Sequence, residues 1–136
     1  MIRFHYRYPS FRIPAAGKVK AWLEKTAKTE KKKIQSIDYI FVTDGVLLGI
    51  NEQALAHDYY TDVITFPYSY DPIVGEIYIS IDRIKDHAVQ FGVSLDQELK
   101  RVMIHGLLHL CGFDDTSKRK KKVMTDKENT YLARAR

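Results

Sequence analysis

Two histidines, His105 and His109, stand four residues apart in the most apolar stretch of the chain. On an α-helix, positions i and i+4 lie about 40° apart, with β-carbons roughly 5–6 Å from each other. Both imidazoles therefore leave the helix on one face and can reach one cation without any change in the backbone. Gly112 follows three residues later and suits the left-handed turn that ends a helix. Past that turn the chain folds back and carries Asp114 or Asp115 over the histidine face. The pattern His105-x-x-x-His109-x-x-Gly112-x-x-Asp115 has the spacing of a zinc site with a carboxylate as third ligand. Two imidazoles and one carboxylate leave a fourth tetrahedral position open, which marks a catalytic rather than a structural zinc.

The surroundings separate this pair from the many histidines that share helical spacing without sharing a ligand. Leu95, Leu99, Val102, Met103, Ile104, Leu107, Leu108 and Leu110 cover most of the helix circumference. A helix apolar nearly all round lies at the centre of a domain. Two imidazoles left unpaired there would cost of order 1–3 kcal/mol each. Zinc proteases place a glutamate directly after the first histidine as general base. Here that position is Gly106, which disfavours peptide hydrolysis. The two-histidine, one-carboxylate iron site of oxygenases is the other chemistry these residue types serve. A ligand pair on one helix followed by a glycine turn fits zinc more closely.

The elements that position these residues follow from hydrophobic periodicity. Ile2, Phe4, Tyr6 and Tyr8 alternate with Arg3, His5 and Arg7, as in a half-buried strand. From Lys18 to Lys33 the period lengthens, with Val19, Trp22, Leu23 and Ala27 on one helical stripe. Ile37 to Val42 reads as a buried strand and Asp44 to about Ala56 as a short helix. Val63 to Phe66, stopped by Pro67, and Ile77 to Ile81 are strand-like. Asp82 to Phe91 is helical and ends at Gly92; Ser94-Leu95-Asp96-Gln97 is a capping box for the histidine helix. A last helix spans Thr116 to about Ala133. This order predicts an α+β fold: a small mixed four-stranded sheet packed with about five helices, the metal site at the end of a central buried helix.

Composition bounds the rest. The 136 residues have room for one domain, taken as 1–136. Lys+Arg 22 against Asp+Glu 17 gives a net charge of +5, compatible with a nucleic-acid partner but weak evidence for one. Cys111 is the sole cysteine, which excludes an internal disulfide or a cysteine-cluster metal site. No apolar run approaches the ~20 residues of a membrane span, and no signal-peptide core opens the chain, so a cytoplasmic protein is expected.

The stretch His105-Gly106-Leu107-Leu108-His109-Leu110-Cys111-Gly112-Phe113-Asp114-Asp115 resembles the signature H-G-x-L-H-L-x-G-(Y/F)-D-H of the YbeY-type endoribonucleases, the ribosomal RNA maturation factors. Thr61-Asp62-Val63-Ile64-Thr65-Phe66-Pro67 is similar to that family's T-D-V-L-S-F-P segment, and Gly75-Glu76-Ile77-Tyr78-Ile79-Ser80 to its G-D-I-x-I-S strand. Asn51, Met124 and Glu128 also fall where the family places such residues. The resemblance implies an α+β fold with one zinc ion per chain. It also implies action on single-stranded RNA, in maturation of the small-subunit rRNA 3′ end and in ribosome quality control. Three positions depart from the pattern. Asp115 replaces the third histidine, which keeps a ligand but removes one unit of positive charge. Leu55 stands where the family has an arginine, so a phosphate clamp worth on the order of 10²–10³ in rate is missing. Glu76 replaces aspartate.

The expected mechanism places zinc on His105, His109 and Asp115, lowering the pKa of water toward ~7 and polarising a phosphoryl oxygen. Glu76 and Asp114 are candidate catalytic residues, as proton carriers or as partners that orient the histidines. The run Lys118-Arg119-Lys120-Lys121-Lys122 is placed to line an RNA groove, and Tyr59 and Tyr60 to stack on unpaired bases. The partners expected are single-stranded or ribosomal RNA and the small subunit, met by a monomer. Leu55 favours the rival reading, a ribosome-assembly factor whose zinc only secures the fold.

Overall fold

The computed structural model describes residues 1–55 and 61–135. Among them the element order is β1 (Ile2–Tyr6), α1 (Ala16–Thr29), β2 (Ile34–Val42), α2 (Asp44–Leu55), β3 (Val63–Tyr70), β4 (Ile73–Ser80), α3 (Ile81–Phe91), α4 (Leu95–Leu110) and α5 (Lys118–Leu132). The strands form one sheet in the order β1-β2-β4-β3. β1 runs parallel to β2 (Ile2 opposite Ile37) and β2 parallel to β4 (Ile37 opposite Gly75). β3 is antiparallel to β4, with Val63 opposite Ile79. This is the expected α+β architecture, with four mixed strands and five helices. No described helix is long and apolar enough to cross a membrane.

Strand alternation divides the sheet into two faces. Ile37, Tyr39 and Phe41 of β2, with Ile73, Ile77 and Ile79 of β4, are fully buried in the main core beneath α1, α3 and α4. Ile40 and Val42 of β2 point the other way, into a small cluster with Leu47 of α2 and Ile64 of β3. α4 lies in the main core, and two contacts show how closely it approaches β4. A Cβ on Gly106 would stand 2.9 Å from Cγ2 of Ile77, and one on Gly75 would stand 2.8 Å from Cδ2 of Leu110. The buried Tyr39 hydroxyl donates to the Met103 carbonyl at 2.9 Å, pinning α4 to the sheet two residues before His105.

Several boundaries differ from the sequence reading, each for a local reason. β3 does not stop at Pro67 but continues to Tyr70. It is an outer strand with a register shift between Pro67 and Ser69, the setting in which a residue without an N–H is tolerated. β1 ends at Tyr6, and the Tyr8 hydroxyl instead donates to Asp82 at 2.7 Å. α1 ends at Thr29, because Lys31 turns into the left-handed region at φ 60°. Ile81 starts α3 rather than ending a strand, since the Ser80 hydroxyl accepts from the Arg83 N–H and caps the helix. The expected caps at Gly92 (φ 67°) and Ser94, which accepts from the Gln97 N–H, are both present.

The α4–β4 contact yields a stability prediction. Gly106→Ala gains up to about 1 kcal/mol of helix propensity but forces a methyl group onto Ile77, an overpacking cost of roughly 1–3 kcal/mol. Denaturant unfolding should show net destabilisation for Gly106→Ala. Combined with Ile77→Ala, its cost should fall below the sum of the two single changes.

Candidate metal centre

α4 terminates in a Schellman turn, which places the third donor. The Phe113 N–H donates to the Leu108 carbonyl and the Gly112 N–H to the His109 carbonyl, both at 3.0 Å. Gly112 adopts φ 103°, where a side chain would be strained, so glycine is required there. The chain then doubles back as the sequence reading expected and brings Asp115 over the two histidines.

His105 Nε2 and His109 Nε2 stand 3.0 Å apart, with the rings edge to face. Asp115 Oδ2 lies 3.7 Å from His105 Nε2, and Oδ1 lies 4.0 Å from His109 Nε2. Two donors on one tetrahedral zinc at ~2.0–2.1 Å lie roughly 3.3 Å apart, so the three groups are spaced to share a cation. The Asp115 separations are too long for hydrogen bonds, so direct hydrogen bonding does not explain why that carboxylate faces the imidazoles.

The tautomer of His105 follows from Glu128, on the buried side of α5. Glu128 Oε2 is 2.6 Å from His105 Nδ1, and Oε1 accepts from Arg101 Nη1 at 2.9 Å. A carboxylate can only accept, so Nδ1 carries the proton and Nε2 turns its lone pair toward His109 and Asp115. Burial opposes charging of His105, but the hydrogen bond and charge of Glu128, helped by Asp115 and Asp62, outweigh it and raise its pKa. His109 moves the opposite way: burial, followed by the charge of His105, lowers its pKa. The donor set of two imidazole nitrogens and one carboxylate therefore fits a zinc-class dication.

These groups open onto a cleft of about 870 Å³ lined also by Asn51, Thr61, Asp62, Thr65, Pro67, Tyr70 and Phe113. Asp114 lines the cleft as well, but its carboxylate is occupied locally. It accepts from the Thr116 N–H at 3.1 Å, from the Thr116 hydroxyl at 2.8 Å and from Lys120 Nζ at 3.3 Å. Those contacts, the Thr116 amide foremost, hold its pKa low. Glu76 is not brought to the histidines. Its neighbours Gly75 and Ile77 face α4, so alternation turns Glu76 to the opposite side of β4, where it accepts from the Tyr68 hydroxyl at 2.6 Å. The carboxylate partner of His105 is Glu128, whose role the sequence reading did not assign. A signal existed in Arg101, which precedes His105 by one helical turn and shares its face. Leu55 ends α2; Tyr59 and Tyr60 lie outside the described residues. Asn51 and Met124 are buried, and the Cys111 thiol is pushed up to about 11 by burial.

An α+β domain whose central helix presents two imidazoles and, past a glycine turn, a carboxylate to an open cleft is a candidate metal-binding domain. The comparisons narrow that class. The family model described as "Endoribonuclease YbeY" matches residues 10–136. A protein of Flavobacterium psychrophilum named "Endoribonuclease YbeY" is 45% identical over 133 residues, which cover 97% of this chain and 94% of the relative. One of Bacteroides thetaiotaomicron with the same name is 45% identical over 113 residues, 82% of each. The solution structure of a Thermotoga maritima protein superposes with a TM-score of 0.73 at 29% identity, over 99% of this chain and 89% of that one. The chain belongs to the endoribonuclease YbeY family.

The Glu128–His105 contact carries a prediction of its own. Partners that orient a metal-binding histidine contribute roughly 10–100-fold to metal affinity. Glu128→Gln should therefore weaken Zn²⁺ binding by that factor in a competition titration while the fold is retained. Unchanged affinity would mean that Glu128 serves packing alone.

Proposed function

We propose that this protein is a zinc-dependent endoribonuclease specific for single-stranded RNA, with one zinc ion held by His105, His109 and Asp115. The observation that carries the reading is the convergence of two Nε2 atoms 3.0 Å apart and one carboxylate at the wall of an open cleft. The names of its relatives, endoribonucleases, supply the reaction class. When bound, the ion supplies a Lewis acid for a phosphoryl oxygen and acidifies water for attack on phosphorus.

The chain's own residues have separable tasks in this reading. Glu128 and Arg101 hold the His105 ring. Asp115 lowers the positive charge of the site compared with a third histidine. Asp114, which lines the cleft, is the proton carrier best placed among the candidates, once released from Thr116 and Lys120. Glu76, across the sheet, has a structural task instead. Lys118, Arg119 and Lys121, exposed at the start of α5 and free of described ion pairs, contact phosphates; Lys120 and Lys122 are paired with Asp114 and Asp126. The substrate is small-subunit rRNA near its 3′ end, processed in the cytoplasm by a monomeric single domain of residues 1–136 that also takes part in ribosome quality control.

One observation favours a second reading. Leu55 stands where the family resemblance places an arginine, which suits an assembly factor that binds RNA without cutting it. Cleavage of single-stranded RNA by zinc-loaded protein beside His109→Ala separates the two. The hydrolase reading expects wild-type turnover and background for the variant; equal rates in both preparations would eliminate it. The basic face is tested separately. Replacing Lys118, Arg119 and Lys121 by Ala should weaken RNA binding and flatten log Kobs against log salt by roughly 2, given a slope near 0.7 per phosphate on single strands.

A further inference from the structure

A second set of metal-ligating side chains lies beside the first. Asp62 directly precedes β3, His87 lies midway along α3, and Glu98 is in the first turn of α4. Each offers one ligand atom, and all three atoms lie within 4.8 Å of one another. His87 Nδ1 is 3.6 Å from Asp62 Oδ2 and 4.0 Å from Glu98 Oε2. Both separations exceed hydrogen-bond range, yet three chain segments converge to produce them.

Glu98 distinguishes this cluster from a chance meeting of surface acids. Its side chain is only 7% exposed and its carboxylate, which keeps a narrow edge on solvent, has His87 at 4.0 Å as its described ion-pair contact and no described hydrogen-bond donor. A buried carboxylate normally receives two or three such bonds, as Glu128 does from Arg101 and His105. Burial first, and then the charge of Asp62, push the pKa of Glu98 up, with His87 the leading opposing influence. A location at the helix N-terminus eases a negative charge but does not explain two carboxylates turned toward one imidazole.

The geometry assigns a second divalent-cation site to Asp62, His87 and Glu98, beyond the single zinc the family resemblance implies. Two carboxylate oxygens and one imidazole suit a borderline transition-metal dication, Mn²⁺ or Zn²⁺, over Mg²⁺ or Ca²⁺, which take oxygen ligands. Small side-chain rotations bring the donors from 3.6 and 4.0 Å to the spacing of ligands on one ion. Asp62 lines the main cleft, and together with Glu98 it lines an adjoining cavity of about 320 Å³ that His105 and Asp115 also border. A cation there neutralises two carboxylates at the edge of the cleft and ties the segment entering β3 to α3 and α4.

Cation stoichiometry tests this without RNA, so its outcome is independent of the proposed hydrolase activity. Chelator-treated full-length protein is titrated calorimetrically with Mn²⁺ and with Zn²⁺. Wild type should take up two equivalents, His87→Ala and Glu98→Gln one each, and the His105→Ala/His109→Ala double variant one. Mn²⁺ added to that double variant should broaden the NMR signals of Asp62, His87 and Glu98. The partly exposed His87 keeps the test valid should Glu98→Gln fail to fold. A single wild-type equivalent that the His105→Ala/His109→Ala change abolishes, or two that His87→Ala leaves intact, overturns the assignment.

Discussion

The geometry of the histidine pair depends on one buried carboxylate. Glu128 is nearly enclosed between α4 and α5, and its charge is compensated only because Arg101 and His105 each donate to one of its oxygens. Losing either donor would leave a desolvated charge short of partners, at a cost of about 1–3 kcal/mol or more. The same contact decides which nitrogen of His105 keeps its lone pair. Any displacement of α5 along α4 would therefore both destabilise the domain and turn the imidazole away from its neighbours. α5 is held against such movement by Met124 and Tyr131 in the core and by the Trp22 indole, which donates to the Tyr131 carbonyl at 2.9 Å. The geometry of the pair is thus inherited from a contact 23 residues away in sequence.

Packing also restricts which chemistry the site supports. Gly106 occupies the position that a protease would give to its general base, and Ile77 fills the space in front of it. The close approach of α4 to β4 that buries the helix leaves no room for a glutamate at that position without displacing Ile77. The acidic groups that remain on the cleft side are Asp115, Asp114 and, in the segment entering β3, Asp62. The glycines at 75 and 106 are conditions for the helix to lie where it does, and Gly112 is a condition for the carboxylate to return to it.

What could be read from the sequence was local in origin. His105, His109, Gly112 and Asp115 lie within eleven residues, and helical spacing plus one turn brings them together; the capping residues Ser94 and Gly92 were equally visible. Features that depend on distant pairing were not. Nothing near Pro67 reveals that its strand is an outer one, where a missing N–H is tolerated. Glu128 becomes a histidine partner only through the docking of α5, and Asp62, His87 and Glu98 meet only after three segments fold. Glu76 is a different case. The alternation of Gly75, Ile77 and Ile79 toward the core implies, from the sequence alone, that Glu76 faces away from α4.

The start of α5 shows how stability and recognition oppose each other. A helix N-terminus already carries about half a positive charge, and acidic residues in the first turn would favour it. Instead five consecutive cations, Lys118 to Lys122, occupy the first turns with no acid among them, and only the Ser117 side chain caps the end, accepting from the Lys120 N–H at 3.1 Å. Asp114 and Asp126 compensate two of the five charges; the others gain no described partner and raise the local potential. Their chain position, immediately after the Asp115 turn, puts that potential beside the cleft. A helix optimised for its own stability would not be built this way. A polyanion lying beside the cleft would offset that repulsion at the start of α5.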